Sequence, residues 1–459
     1  MRFAISVKNF AKIEEAEICV NKYTLLVGPN NSGKTFLMQL VEGVNDYLHN
    51  SADDEIYQTL SVEKTPLYTL YRLTKENSKE LCNVLNKKLE KEKNNIVTNT
   101  LGKTIPIEEL YINIELQECE TYNIYYFQKV SNISKIPQLN FGGDRDYEMT
   151  YSDAAILTRV MGSSNEKELP MFITLRKNRN DEKKLVGRML RNLLTEESLF
   201  MPASRNGLML LYRELFAHKT DKTLSFSFKS GEIEEEQEKS MGLTRPVYDF
   251  LRFLQTYASG HSRAQFNDEI DFYNKKIIEG ELNVGVQGDI SYSGQNTEEP
   301  ISLYLTSSMI NEVAPLFMAI TSDMNYQKLI IDEVEASLHP EKQMELVRFL
   351  NRLYHENMQF IISTHSDTFV SKINNLCILG EHIKKNKCAD ILKELNLEEN
   401  DVVDPEELFV YEFVIQSNGK SIVREIPFHE SMGYQFDLFT NSALKLYNEA
   451  MNVQEITQI

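Results

Sequence analysis

Short apolar runs separated by turn residues form the first pattern along the chain. Alternating or continuous apolar positions predict strands at 3–7 and 17–27. The second run ends at Gly28-Pro29, where a turn is expected. Residues 34–49 then have helical spacing. The N-terminal part of the chain therefore predicts two strands, a turn and a helix in succession.

The same succession returns in the C-terminal half. Buried strands are predicted at Lys328–Ile331 and Phe360–Ser363, with a helix at 340–355 between them. Alternation of strands with helices predicts an α/β fold. Five other elements follow from the same patterns: a charged, solvated helix at 75–95, an antiparallel hairpin within 110–130, a strand at 171–175, a mostly helical region at 205–282, and a hairpin of 408–414 and 421–426 around a type I′-like turn at Asn418-Gly419.

The net charge of the chain limits the classes of partner that it can bind. The chain has 459 residues, with 68 Asp and Glu against 49 Lys and Arg, so the formal net charge is -19. An acidic surface repels phosphate backbones, which excludes a polybasic nucleic-acid coat. It excludes neither a local basic patch nor a pocket that holds phosphate through backbone N–H groups.

Cysteine spacing and hydropathy exclude further classes. The five cysteines are scattered, which argues against a disulfide framework or a zinc ribbon. Lys8 interrupts the first apolar residues, so no signal peptide is expected. No apolar run reaches about 18 residues, so no membrane span is expected. We therefore expect a soluble, cytoplasmic protein.

Residues 28–35 match the pattern G-x-x-x-x-G-K-[ST] in full, between a predicted strand and a predicted helix. The glycines let consecutive backbone N–H groups face a phosphate, and the helix N-terminus adds a partial positive charge. Lys34 is expected to reach the β- and γ-phosphates, and Thr35 to place its hydroxyl on Mg²⁺. The sequence therefore predicts binding of a nucleoside triphosphate with Mg²⁺. The predicted nucleotide-binding residues of this loop are Gly28, Asn30, Asn31, Ser32, Gly33, Lys34, Thr35 and Phe36.

Two acids end the predicted strand at 328–331. In a phosphate-loop protein the first acid, here Asp332, lies beside Mg²⁺, and the second, here Glu333, can polarise the attacking water. Leu338-His339-Pro340 follows, and the next predicted strand ends at His365. Ligands of α/β sheets bind at the carboxyl ends of the strands, so this order predicts that His365 senses the γ-phosphate.

With these motifs the chain resembles the ATP-binding-cassette (ABC) type ATPases related to RecF and to the heads of SMC proteins. It is more narrowly similar to the overcoming-lysogenization-defect (OLD)-like group, whose opening hairpin resembles residues 5–18 and for which Leu338-His339-Pro340 is typical. The resemblance implies an α/β fold, an ABC-type P-loop ATPase head. It also implies that Glu333 is the catalytic base, Asp332 the Mg²⁺ partner and His365 a switch histidine.

A degenerate signature segment lies at Leu305–Glu312. In the family this segment of one subunit covers the ATP held by another, so the resemblance implies a homodimer or higher homo-oligomer around ATP. Ser307 and Ser308 remain as hydroxyl donors, whereas Met309 stands where the family has a glycine. This departure indicates slow hydrolysis or a dimer that closes only under a trigger.

Residues 200–207 resemble a strand-to-helix corner of the same family. There Arg205 is expected either to contact the γ-phosphate region or to hold the corner in place.

Many relatives append a metal-dependent nuclease, and its Asp-x-Asp cluster has no counterpart after His365. Short ATPases without a nuclease resemble the PtuA family of Septu antiphage defence systems, where a separately encoded HNH-type nuclease is the effector. That resemblance implies an ATPase that regulates such a nuclease subunit. The alternatives are a RecF- or SMC-like DNA repair or maintenance ATPase without a nuclease, and a nucleotide-bound scaffold that scarcely turns over.

The basic segment at 176–192 holds seven Lys and Arg against two acids. It is interpreted as a DNA contact, a contact for an acidic partner, or a solvated helix. The residues predicted for DNA contact are Arg176, Lys177, Arg179, Lys183 and Lys184.

The expected organisation of the whole chain is lobe I at 1–50 and 105–205, a helical insertion at 51–104, a helical region at 206–284, lobe II at 285–430, and a tail at 431–459.

Overall fold

The computed structural model describes the chain in thirteen stretches: residues 1–50, 56–65, 68–117, 120–127, 156–163, 170–175, 182–210, 242–257, 266–285, 290–295, 299–324, 326–386 and 390–457. They form two compact units. One holds Met1–Ala4, Asp46–Lys91 and Tyr111–Thr195, and the other holds Ile5–Asn45, Glu92–Leu110 and Glu196–Ile459. The predicted lobes have other boundaries and stay a prediction. No described helix is both long enough and apolar enough to span a membrane.

The strands, in chain order, are β1 Arg2–Phe10, β2 Ile13–Cys19, β3 Tyr23–Val27, β4 Ser61–Lys64, β5 Tyr68–Leu73, β6 Glu109–Glu115, β7 Thr121–Phe127, β8 Ile156–Ser163, β9 Pro170–Leu175, β10 Ser198–Met201, β11 Gly280–Val284, β12 Ile290–Gly294, β13 Ile301–Ser302, β14 Lys328–Ile331, β15 Gln359–Thr364, β16 Leu408–Ile415, β17 Ser421–Glu425, β18 Phe428–His429 and β19 Gly433–Tyr434.

The helices are α1 Lys34–Asn50, α2 Lys75–Leu101, α3 Glu182–Leu194, α4 Arg245–Thr256, α5 Asn267–Phe272, α6 Ser308–Thr321, α7 Pro340–His355, α8 Asp367–Asn386, α9 Asp390–Glu394 and α10 Asp437–Thr457. Short 3-10 turns lie at Ile56–Thr59, Leu303–Leu305, Glu399–Asp401 and Pro405–Glu407, and a π-helical turn at Tyr273–Ile277. These elements confirm the predicted α/β fold.

A nine-stranded sheet has the order β10-β14-β15-β3-β16-β17-β2-β1-β6, and its first seven strands, from β10 to β2, lie wholly in the larger unit. Its central strands β14, β15, β3 and β16 are parallel, with Ile331 opposite Ile362 and Val27 opposite Thr364. All residues of β14 and β3 are buried. Strands buried on both faces are continuous apolar runs, which is why sequence pattern alone located them. The register brings the carboxyl ends of β3, β14 and β15 to one edge of the sheet.

The smaller unit contains a five-stranded antiparallel sheet in the order β4-β5-β7-β8-β9. Its strand β9 confirms the strand predicted at 171–175. Strands β4 and β5 and helix α2 all lie within 51–104, the segment predicted as a helical insertion. Aromatic and β-branched residues in Tyr68–Leu73 favour a strand there.

Two sequence predictions were wrong. The hairpin within 110–130 does not form, since β6 belongs to the nine-stranded sheet and β7 to the five-stranded sheet. Alternation specifies a half-buried strand but does not specify its partner. Strands β16 and β17 do pair as an antiparallel hairpin. Its turn is not type I′, because within it only Gly419 has a positive φ, of 79°. Gln416 bonds both Gly419 and Lys420, the pattern of a three-residue loop with glycine in the left-handed position.

Candidate nucleotide-binding site

The phosphate loop lies between β3 and α1, as predicted. Gly28 has φ 153° and Gly33 has φ 102°, and Asn31 is also left-handed at 63°. A Cβ at Gly28 would lie 2.7 Å from Cβ of Phe413 on the neighbouring strand β16. Glycine is therefore required at Gly28 both for its backbone angle and for its close approach to β16.

Lys34 begins α1 and is 5% exposed. Its ammonium donates to the carbonyl oxygens of Gly28 and Pro29, at 3.0 Å each. Burial lowers the pKa of Lys34 to about 8, although the carboxylates of Asp332 and Glu333 act to raise it. The ammonium thus lies inside the loop, next to the groups that are expected to surround phosphate.

Thr35 and Asp332 meet although 297 positions separate them in the chain. The Thr35 hydroxyl donates to Oδ2 of Asp332 at 2.7 Å, and the Ser363 hydroxyl donates to its Oδ1 at 2.5 Å. Asp332 follows β14 and Ser363 lies in β15, so the parallel register of the two strands produces this contact. One hydroxyl and one carboxylate are oxygen donors of the kind that Mg²⁺ takes when phosphates complete its shell. The predicted metal pair, Thr35 and Asp332, therefore fits a Mg²⁺ ion bound together with nucleotide.

Glu333 and His365 face the same region. His365 Nε2 lies 4.0 Å from Oε1 of Glu333. Burial, with the neighbouring charges of Asp332 and Glu335, raises the pKa of Glu333. Burial and the charge of Lys34 lower the pKa of His365, which favours its neutral form. Glu333 also has a left-handed backbone, with φ 50°.

The side chains of Ser363 and Glu335 hold the backbone of Glu333 and His365 in place. The Glu333 N–H donates to the Ser363 hydroxyl at 2.9 Å, and the His365 N–H donates to Oε1 of Glu335 at 2.6 Å. Sequence reasoning missed both Ser363 and Glu335. The available signal was their polarity, beside or within buried strands. A polar group there needs a hydrogen-bond partner, and the predicted site residues are those partners.

Arg205 resolves an alternative that the sequence left open. Its side chain is 2% exposed and forms an ion pair with Glu312 of α6, at 2.9 Å. It also donates to the carbonyl oxygens of Asp332 at 2.7 Å and Glu333 at 3.1 Å. Arg205 therefore locks the corner after β10 against α6 and the acidic segment.

The signature residues Ser307 and Ser308 lie at the start of α6, where both are exposed. Ser307 is the N-cap, since its hydroxyl accepts from the Ile310 N–H at 3.4 Å. Met309 is partly buried and packs against the hydrophobic core. Its side chain therefore has a packing role in place of the glycine of the family pattern.

The other predicted residues divide into three groups. Ser32 is buried, whereas Asn30 and Asn31 are exposed. Phe36 is 41% exposed, with its ring edge-on to that of Phe10 at 6.4 Å. Arg176, Lys177 and Arg179 lie outside the described residues, and Lys183 and Lys184 lie in α3 with side chains outside the description.

Comparison with solved structures finds SMC head domains at low similarity. One is an SMC head bound to the C-winged helix domain of ScpA, with 10% identity, a TM-score of 0.38, and coverage of 94% of this chain and 98% of that chain. Another is the SMC head domain from Thermotoga maritima, with 12% identity, a TM-score of 0.33, and coverage of 93% and 100%. A third is an SMC head domain with an extended coiled coil bound to the C-terminal domain of ScpA, from Pyrococcus furiosus, with 11% identity, a TM-score of 0.35, and coverage of 98% of each chain.

Comparison with sequence families gives a match over most of the chain. A search of the curated proteins finds no match. The model of the AAA ATPase domain family, AAA_15, matches residues 1–370. That range contains the phosphate loop, both acids and His365. Because the match covers most of the chain and the whole candidate site, the chain belongs to the AAA ATPase domain family.

Proposed function

We propose that this chain binds ATP with Mg²⁺ and hydrolyses it. The observation that carries the proposal is the contact of Thr35 with Asp332 at 2.7 Å, beside the buried ammonium of Lys34. This arrangement offers a cation and a metal-binding oxygen pair next to a loop of backbone N–H groups, which together fit a nucleoside triphosphate. When bound, Mg²⁺ would supply positive charge that neutralises the phosphate oxygens.

In the proposed hydrolysis, Glu333 and His365 act on the reacting groups. Glu333 takes a proton from the water whose oxygen attacks the γ-phosphorus, and the bond from that phosphorus to the β-γ bridging oxygen breaks. The raised pKa of Glu333 makes it a better proton acceptor than an ordinary carboxylate. His365, in its neutral form, can donate a hydrogen bond to a γ-phosphate oxygen.

The test of turnover compares Glu333→Gln with Lys34→Ala. Glu333→Gln is expected to lower kcat by about a hundredfold or more while ATP still binds, because only the proton acceptor is lost. Lys34→Ala is expected to lose ATP binding. Phosphate release and nucleotide titration measure the two effects, with Glu394→Gln on the exposed surface of α9 as a matched control. Unchanged turnover in Glu333→Gln would support a nucleotide-bound scaffold instead.

We further propose that two copies enclose ATP between them, as a homodimer or part of a higher homo-oligomer. The exposed hydroxyls of Ser307 and Ser308 at the start of a helix support this, since such groups can bind phosphate held by a second copy. ATP would close the dimer and hydrolysis would open it. Met309 removes a glycine from the phosphate-binding segment, which supports slow or triggered turnover.

In a cell, closure would regulate a separately encoded HNH-type nuclease in antiphage defence, in the cytoplasm. Support comes from the sequence motifs, which resemble the PtuA family, and from the net charge of -19, which attracts a basic effector subunit. The deciding experiment is purification of the Glu333→Gln protein with ATP, together with the product of the neighbouring gene. Co-elution of an HNH protein supports defence, whereas a recombination protein as the neighbour supports a RecF- or SMC-like maintenance ATPase.

A further inference from the structure

Two large apolar side chains stand in water directly before the signature serines. Tyr304 is 59% exposed and Leu305 is 66% exposed. They belong to the 3-10 turn Leu303–Leu305, whose first residue, Leu303, is buried in the core. Thr306 closes the turn, because its N–H and its hydroxyl both donate to the Leu303 carbonyl, at 3.1 and 2.6 Å. The two side chains are therefore presented on an anchored turn.

A third exposed apolar side chain flanks the phosphate loop. Phe36 follows Thr35 directly and is 41% exposed. The ring of Phe10 packs edge-on against the Phe36 ring. Exposed single apolar residues are ordinary, but here one lies next to each half of the site that the proposed dimer brings together.

Chain geometry limits how far apart these residues can be in that dimer. Consecutive Cα atoms are about 3.8 Å apart, so Leu305 lies within about 8 Å of Ser307, and Phe36 lies one residue from Thr35. If Ser307 and Ser308 of one copy reach phosphates held in the phosphate loop of the other, the Tyr304–Leu305 side chains and Phe36 border the same interface. Packing them against each other there would remove apolar surface from water, which is favourable.

The altered signature gives this contact a role. A glycine there would allow the backbone to approach phosphate closely, and Met309 instead packs its side chain on the core. The dimer then depends more on contacts outside the phosphate groups. Twofold symmetry would use the same apolar contact twice.

We propose that the Tyr304–Leu305 patch of one copy packs against Phe36 of a second copy, beside the enclosed ATP. This inference rests on the proposed ATP-dependent dimer. The patch is expected to bind a second copy of this chain, and to do so only when ATP is present.

The first test measures the dimer in the Glu333→Gln background, with ATP, by analytical ultracentrifugation. Changing both Tyr304 and Leu305 to Ser is expected to weaken dimerisation by about thirtyfold or more, since an apolar anchor is lost in two symmetric contacts. ATP affinity of the dilute monomer is expected to stay unchanged. Leu395→Ser, which alters a side chain 54% exposed on the surface of the same unit, is the matched control and should not weaken the dimer.

The second test traps the contact directly. Leu305→Cys combined with Phe36→Cys is expected to form an intermolecular disulfide with ATP and not without it, whereas Leu395→Cys with Phe36→Cys is expected to form none. If Glu333→Gln with ATP stays monomeric, the proposed dimer itself is wrong and this inference falls with it. If the dimer forms but the double Ser variant dimerises as well as its parent, only the apolar contact is wrong.

Discussion

The charge of Lys34 is the residue property that most directly couples the site to its ligand. The ammonium is buried and its pKa lies at about 8, so it gives up its proton more readily than an ordinary lysine before phosphate arrives. Phosphate oxygens favour the charged form, because an opposite charge raises the pKa of an ammonium group. Nucleotide binding is therefore linked to proton binding at this one nitrogen.

We predict that ATP binding takes up a proton at pH 8.5. With a pKa of about 8, roughly three quarters of Lys34 is neutral at that pH, and bound phosphate restores its charge. At pH 7 Lys34 is already mostly charged, so the uptake falls to roughly a tenth of a proton. Calorimetry with excess Mg²⁺ in two buffers of different ionisation enthalpy measures the uptake.

A variant with a permanent charge controls this measurement. Lys34→Arg stays protonated throughout the range, so binding to that variant should show no uptake from this position at pH 8.5. Equal binding heats in the two buffers for the unaltered protein at pH 8.5 would contradict the prediction.

At the scale of elements, Arg205 joins three segments that are far apart in the chain. It contacts the corner after β10, Glu312 on α6, and the carbonyls of Asp332 and Glu333 after β14. The helix that begins with the signature serines is thereby tied to the acids of the same copy. In the proposed dimer, a shift of α6 on closure would be transmitted to Glu333 through this side chain.

We predict that Glu312→Gln destabilises the protein by about 3 kcal/mol, because it leaves the buried guanidinium of Arg205 without its charge partner. The free energy of unfolding from urea titration checks this value. Arg245→Gln, which breaks the exposed pair with Asp249, is the matched control and should cost less than about 1 kcal/mol. Equal costs for the two variants would show that the buried pair contributes no more than a surface pair.

Local pattern located many elements but did not assign strand partners. Strand β14 and helix α7 have the predicted bounds, because a buried strand and an N-capped amphipathic helix are both encoded in neighbouring residues. The partner of β6 was not encoded locally, and neither was the central place of β16 in the sheet. The same limit holds within the site: Gly28–Thr35 form a contiguous motif, whereas the contacts of Arg205 depend on segments more than a hundred residues apart.

At the scale of the whole molecule, the net charge of -19 confines any DNA contact to a local patch. The basic segment at 176–192 is the strongest such patch in the sequence. A test of its role must separate this local charge from the total charge of the chain.

If this segment contacts DNA, we predict that changing Arg176, Lys177, Lys183 and Lys184 to Glu lowers DNA affinity and flattens its dependence on salt, because fewer counterions are released. The control variant changes four exposed lysines of α2 to Glu, namely Lys75, Lys79, Lys87 and Lys91. It alters the net charge by the same amount and should change affinity much less. Equal losses in the two variants would indicate a general charge effect.

The central position of β3 has a consequence for synthesis on the ribosome. Its two neighbours in the sheet, β15 and β16, are made more than 300 residues after it. Until then, the phosphate loop is attached to an apolar strand with both edges open, and such edges promote aggregation. The nascent chain therefore exposes both edges of this strand for most of its translation, and the phosphate loop takes its place in the completed sheet only near the end.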